Sequence, residues 1–234
     1  MSVPFFYEPS IQSDNAQFVL SETSSKHCVQ VLRMQTGAKL KLTDGLGNLY
    51  QAQLLSADKK QSVVQIHSFT KIDAPNYPLS IAIALIKNSD RYEWMLEKVT
   101  ELGVAHIYPL TTKRTEQQRF RQDRYQQIIV AAMLQSEQTW LPILHQPQDV
   151  SQLIKKAANK ERLIAHCEED TKNPIQHLPA STDSLILIGP EGDFTKDEIQ
   201  LALNQGFLPV TLGNTRLRTE TAGIVAITLL ANRS

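Results

Sequence analysis

The chain has 234 residues, 41% hydrophobic and 21% charged, and its 24 basic and 24 acidic side chains cancel. This is the make-up of a globular protein with one large or two modest domains, and it excludes a disordered chain. Neutrality also excludes nucleic-acid binding through overall charge, so any such partner must be held by a local patch.

The N-terminal stretch MSVPFFYEPS has no basic segment leading an apolar core, and the longest aliphatic run, LSIAIALI at 79–86, is too short to span a bilayer. Neither secretion nor membrane insertion is expected. The two cysteines, Cys28 and Cys167, are far apart and have no CxxC companions. No disulfide framework or metal site is expected, and a reduced cytoplasm fits best.

Residues 21–34 read as a helix with Val29 and Leu32 on one apolar face and Lys26 and Arg33 alongside. AKLKLTD, LYQAQLLSA and SVVQIHSF follow as short strands separated by Asp44-Gly45 and by Asp58-Lys59-Lys60, a small antiparallel sheet or barrel. Pro75 and Pro78 mark a change of pattern, and the domain boundary is set there: 1–73, then 74–234. Beyond it strands and helices alternate. The strand LSIAIALI leads to a helix over 90–102 stopped by Gly103, with Tyr92, Met95, Leu96, Val99 and Leu102 in one stripe. VAHIYPL, a helix over about 121–137, RLIAHC and SLILIG come next, the last continuously apolar like a strand buried on both faces. The fold class is α/β with a mainly parallel sheet.

SLILIG runs into PEGDF and then Thr195, with Glu198 three residues on, a capping-box signature that starts a helix. PVTLG then runs into NTRLRTETAG and a final helix over about 221–231. The order strand, glycine loop, helix occurs twice. Two such loops at the carboxyl ends of parallel strands form the crevice where open α/β sheets bind ligands. A tight connection without a ligand is the alternative for GPEG taken alone, and a surface loop kept for solubility is the alternative for LGNTRLRTETAG. The final helix is apolar around most of its circumference, so it is buried all round, either as a core helix or against a second subunit.

LILIGPEGDF and LGNTRLRTETAG, with EKVTELGV at 97–104 and HCVQVLRM at 27–34, resemble the RsmE family of SPOUT-class RNA methyltransferases, in order and over nearly the whole chain. The resemblance implies a PUA-like N-terminal barrel for RNA binding. It also implies a C-terminal domain whose last segment threads a deep trefoil knot, a homodimer, and methyl transfer from S-adenosylmethionine to N3 of a uridine in 16S rRNA of the small ribosomal subunit. It places Ile188, Gly189, Glu191, Gly192, Leu212, Gly213, Leu217, Arg218, Thr219 and Thr221 on the family's cofactor-binding positions. This chain departs from relatives in three places. Asp193 stands where many have a second glycine, the basic residue near 215 is displaced from Thr215 to Arg216, and the N-terminal arginines are missing.

Methylating N3 requires that a weakly acidic proton leave the uracil. Arg218 is the first candidate to stabilise the resulting charge, and Arg216 the second. Glu220 is either a base or an anion favouring a helix start. For RNA, the segment KRTEQQRFRQDR at 113–124 carries Arg114, Arg119 and Arg121 around Phe120, as a phosphate-contacting surface or a solvated charged loop. Lys26, Arg33, Lys87 and Arg91 are further RNA candidates. Two other readings stay open: an RNA-binding or ribosome-assembly module of the same fold without catalysis, and a SPOUT methyltransferase acting on another RNA.

Overall fold

The computed structural model describes residues 3–12, 14, 16–116, 119–169 and 171–233, so Met1 and Ser2 of the arginine-free N-terminus and Gln117 and Gln118 of the basic segment lie outside the described residues. The chain forms two compact units, one of Met1–Ala74 with Met133–Leu141, the other of Pro75–Ala132 with Pro142–Ser234.

The first unit contains β1 (Phe5–Tyr7), β2 (Gln17–Val19), α1 (Glu22–Lys26), β3 (Lys39–Thr43), β4 (Asn48–Ser56) and β5 (Val63–Lys71). The strands lie in the order β1-β3-β4-β5-β2. All pairings are antiparallel except β1 with β3. The alternation read from the sequence buries Leu40, Leu42, Tyr50, Leu54 and Val64 on one face. Asp44 Oδ1 accepts the Leu46 N–H at 2.8 Å, which closes the expected Asp-Gly turn between β3 and β4. The expected helix over 21–34 is shorter and changes pitch, since α1 runs into a π-helical turn over His27–Val31. The wider turn rotates Cys28 inward and leaves Leu32 exposed, a correction to the apolar face expected at Val29 and Leu32. Trp140 belongs to this unit and donates through Nε1 to the carbonyls of Ile72 and Asp73, both at 3.1 Å.

The second unit contains β6 (Leu79–Ala84), α2 (Ser89–Glu101), β7 (His106–Thr111), α3 (Gln122–Gln135) up to its residue 132, β8 (Ile143–Leu144), β9 (Gln148–Asp149) and α4 (Val150–Lys156). It continues through β10 (Glu161–Ala165), β11 (Asn173–Pro174), β12 (Ser184–Ile188), α5 (Lys196–Asn204), β13 (Leu208–Thr211) and α6 (Thr219–Ala231). The sheet order is β11-β13-β10-β12-β6-β7-β8, with β9 also on β7. All of these pairings are parallel. Every residue of β6 and β12 is buried, as their runs, apolar but for Ser80 and Ser184, require of strands covered on both faces.

Local signals set the helix ends. Asn88 Oδ1 accepts the Arg91 N–H at 3.1 Å to start α2, and Gly103 at φ +82° follows its end. The capping box of α5 forms as read: Thr195 Oγ1 accepts from the Glu198 N–H at 3.3 Å, and the Glu198 carboxylate accepts from the Thr195 N–H at 2.7 Å. Helix α6 starts at Thr219, two residues earlier than expected, and packs on α2 and β6. Gly223 permits that approach, because a Cβ there would stand 2.8 Å from Ile83 Cδ1.

Candidate functional site

Parallel strands present their carboxyl ends at one edge, so the loops leaving β10, β12 and β13 meet there. Together they line a cleft of about 720 Å³. The loop after β12 contributes Gly189, Pro190, Glu191 and Asp193, and the loop after β13 contributes residues 212–218. Ile188, Val210, Leu212, Leu217 and Ala222 supply apolar wall.

Of the residues singled out in the sequence, Ile188, Gly189, Glu191, Leu212, Gly213, Leu217, Arg218 and Thr219 line this cleft, and so does Arg216. Gly192 and Thr221 are not among the lining residues. The Gly192 carbonyl instead accepts from Arg114 Nη1 at 2.6 Å, and Thr221 sits in the first turn of α6. Gly213 adopts φ +146° with open space where a Cβ would be, which leaves its backbone free to face a ligand. The Thr211 hydroxyl fixes that turn by donating to the Gly213 carbonyl at 2.9 Å and accepting its N–H at 3.3 Å.

A third loop was missed. Ala165, His166, Cys167 and Lys172, which follow β10, also line the cleft. The available signal was positional: β10 neighbours β12 in a parallel sheet, so its carboxyl end belongs to the same crevice. RLIAHC carries no glycine to announce it. Asp193 joins this loop to the next, with Oδ2 accepting the Cys167 N–H at 2.7 Å and Oδ1 accepting the Phe194 N–H at 2.8 Å. Its backbone is left-handed, φ +65°, a conformation natural to glycine and tolerated by aspartate.

Glu220 is not among the residues that line the cleft. Its carboxylate is only 8% exposed and lies 3.7 Å from Arg91 Nε of α2. Arg91 and Glu220 are thereby brought together, while Arg216 and Arg218 remain exposed at the cleft. Arg114 also donates to the Phe194 carbonyl at 3.3 Å, so its guanidinium braces the 192–194 turn. Lys87, Arg119 and Arg121 line a separate cavity of the same unit. Lys26 and Arg33 are exposed in the first unit, Arg33 with φ +52°. Among the described residues, no group of three or more His, Cys, Asp or Glu side chains has metal-binding geometry, and no helix is long and apolar enough to cross a membrane.

The chain matches a family described as RNA methyltransferase domain over residues 73–231 and one described as RNA methyltransferase PUA domain over residues 20–66. It is 35% identical over 216 residues to the ribosomal RNA small subunit methyltransferase E of Synechocystis, covering 88% of this chain and 70% of that protein. A solved structure from Porphyromonas gingivalis, described as a probable rRNA-methyltransferase, is 38% identical with a TM-score of 0.89 and covers 97% of this chain and 96% of its own. A ribosomal RNA small subunit methyltransferase E from Neisseria gonorrhoeae, solved bound to S-adenosyl methionine, has a TM-score of 0.88 at 27% identity and covers 97% of this chain and 96% of its own.

Proposed function

This chain belongs to the ribosomal RNA small subunit methyltransferase E family, and on that premise we propose that it methylates N3 of a uridine in 16S rRNA with S-adenosylmethionine as donor. The observation that carries this reading is the convergence of three loops, after β10, β12 and β13, on one cleft whose lining includes two exposed arginines.

The cleft suits the donor. At 720 Å³ it lies within the range of about 300–1,000 Å³ usual for ligand pockets. S-adenosylmethionine carries no phosphate, so its adenine and ribose call for apolar walls and backbone N–H and C=O groups. Leu212, Leu217 and Ile188 provide the walls, and Gly213 the accessible backbone. The Glu191 carboxylate is an acceptor for hydroxyl or amino groups. Bound there, the donor supplies an electrophilic methyl group on a sulfonium centre.

The chain's own task is then to orient the uridine and to make N3 nucleophilic. Arg218, with Arg216 beside it, stabilises negative charge that develops on the uracil oxygens as the N3 proton passes to solvent water at the exposed cleft. Glu220 is assigned a different role. Buried against Arg91 in the first turn of α6, it anchors the helix start that carries Thr219. We assign the PUA-like RNA-binding domain to residues 1–73, joined by residues 133–141 of the first compact unit, and the SPOUT domain, with its trefoil knot, to the rest of 74–234.

A homodimer is part of this proposal. Within the single chain, Ile224, Val225 and Leu229 of α6 are only half-buried, and Trp94 on the neighbouring α2 is 47% exposed. A helix this apolar gains by burying that face against a second copy. A ribosomal RNA substrate places the enzyme in the cytoplasm. The test is mass spectrometry of rRNA nucleosides from a strain lacking the gene. N3-methyluridine should disappear and return with the wild-type chain, and an undiminished level would remove the assignment.

A further inference from the structure

A second cavity, of about 420 Å³, opens at the carboxyl end of β6 and is lined by Lys87, Ser89, Arg119 and Arg121 over a floor that includes Leu85 and Tyr125. The floor is apolar and buried, with Leu85 at 5% and Tyr125 at 3% exposure. No carboxylate is among the lining residues. Three acids stand close by: Asp90, whose Oδ1 accepts a 3.5 Å contact from Ser89 Oγ, and Glu93 and Glu116, each held by a cation. Glu93 holds Arg124 at 2.8 Å and lies 3.9 Å from Arg121, and Glu116 pairs with Lys87 at 3.3 Å in an exposed, weak contact. Arg121 is further fixed by donating through Nη2 to Ser89 Oγ at 2.8 Å. Arg119 has no ion pair among the described residues. Three cations around a dry floor, with one guanidinium pre-oriented and another unpaired, form a receptor for an anion with several acceptor oxygens.

The location narrows the anion. β6 pairs in parallel with β12, with Ile83 opposite Ile188, so Leu85 and Ile86 extend along the same edge as the Gly189–Glu191 turn. Neighbouring strands are about 5 Å apart, which puts the cavity next to the cofactor cleft. We propose that it holds a backbone phosphodiester of the substrate RNA beside the nucleotide being methylated. This rests on the functional reading above and adds the contact that positions the strand. Phosphate contacts fix register without reading sequence, so this contact positions the strand and leaves recognition of the base to the cleft.

Charge reversal tests it on the whole protein. Binding of a fluorescent uridine-rich single-stranded RNA is measured against salt for wild type, Arg119→Glu, Lys87→Glu and, as a control for net charge, Lys160→Glu, which lies next to the amino end of β10 at the opposite sheet edge. Arg119→Glu and Lys87→Glu should each weaken RNA binding about tenfold and lower the slope of log affinity against log salt by about 0.7 or more, while S-adenosylhomocysteine affinity stays within about twofold. Their KM for unmethylated 16S rRNA should rise about tenfold with kcat within about twofold. Lys160→Glu should leave RNA affinity and slope within about twofold of wild type. RNA affinity and slope that are equal in all four proteins, or lowered alike in all three variants, overturns the proposal. So does a site that 10 mM inorganic phosphate or uridine monophosphate fills without displacing the RNA, at a concentration of roughly the scale expected for weak phosphate contacts. A wild type that binds RNA in this cavity yet never methylates it sinks the functional reading alone, and a wild type that binds no RNA overturns both.

Discussion

Asp193 and Cys167 are joined by a hydrogen bond of 2.7 Å, from the Cys167 N–H to Asp193 Oδ2, that ties the loop after β10 to the loop after β12. The same carboxylate's Oδ1 accepts from the Phe194 N–H, so one side chain holds two walls of the cleft. This accounts for the departure from the double glycine of the resembling family: aspartate keeps the left-handed backbone and adds a clamp. Asp193→Gly should fold as well as wild type, since glycine adopts φ +65° without strain, but should lose about tenfold in S-adenosylmethionine affinity, the scale of one hydrogen bond to a charged group. Asp193→Ala should lose the clamp and in addition about 1–2 kcal/mol of stability to the strained backbone. Calorimetry and thermal unfolding separate the two costs. Wild-type affinity in the glycine variant would show that the clamp does nothing for the cofactor.

Arg218→Ala should reduce turnover about 100-fold or more while changing cofactor affinity only a few-fold, as expected for a donor aimed at charge that develops during reaction. Single-turnover kinetics on 16S rRNA beside calorimetry with S-adenosylhomocysteine measures both. Equal losses in the two would make Arg218 a binding residue only. Arg216→Ala should show a smaller loss of the same kind.

Much of this was legible in the chain, and the legible parts share a cause. β6 and β12 announced themselves because burial on both faces selects apolar side chains at almost every position, and α5 did so because a capping box needs Thr195 and Glu198 at fixed spacing. The two glycine loops were readable because sharp turns at strand ends select glycine, and both turns line the cleft. The third loop was not, since Ala165, His166 and Cys167 act through position, which depends on strand order. Helix α4 also escaped notice: seven residues capped by Asp149 give too short a stretch for periodicity to register. The role of Glu220 depended on Arg91, 129 positions away in sequence, and no local pattern links them.

Gly223→Ala tests the packing of α6. Alanine would improve intrinsic helix stability by about 0.5–1 kcal/mol, but its Cβ would stand 2.8 Å from Ile83 Cδ1 and 3.2 Å from Ile81 Cδ1. Both isoleucines are fully buried, and close packing of a protein interior resists their displacement. Overpacking costs about 1–3 kcal/mol, so the variant should be destabilised by about 1–2 kcal/mol in denaturant titration. A stabilised variant would mean that α6 sits farther from β6 than described.

Val225→Asp tests the second copy. The residue is half-buried in one chain and should be fully buried in a dimer, where an unpaired carboxylate costs several kcal/mol. Light scattering should show a dimer for wild type and a monomer for the variant, with methyl transfer lost along with the dimer. A variant that remains dimeric would place the contact elsewhere, and a monomeric wild type would remove it.

The amino end of β7 carries a pH dependence. His106 and His145 stand with Nδ1 and Nε2 3.1 Å apart, and the His145 ring stacks on Tyr108 at 3.9 Å. Burial holds both imidazoles below the ordinary histidine range; the charge of Asp183 partly opposes this for His106, and His106 itself adds to it for His145. The folded protein therefore binds these protons more weakly than the unfolded chain, whose histidines titrate near about 6.5. The unfolded state takes up more protons as pH falls below that value, so this contribution is fully present above it and is lost on acidification towards the lower folded values. The melting temperature should accordingly fall between about pH 7.5 and 5.5, a window that brackets the unfolded value. His145→Gln keeps a polar partner for His106 but cannot take up the proton, so its melting temperature should fall less steeply over the same range. Parallel curves for variant and wild type would assign the acid sensitivity to other groups.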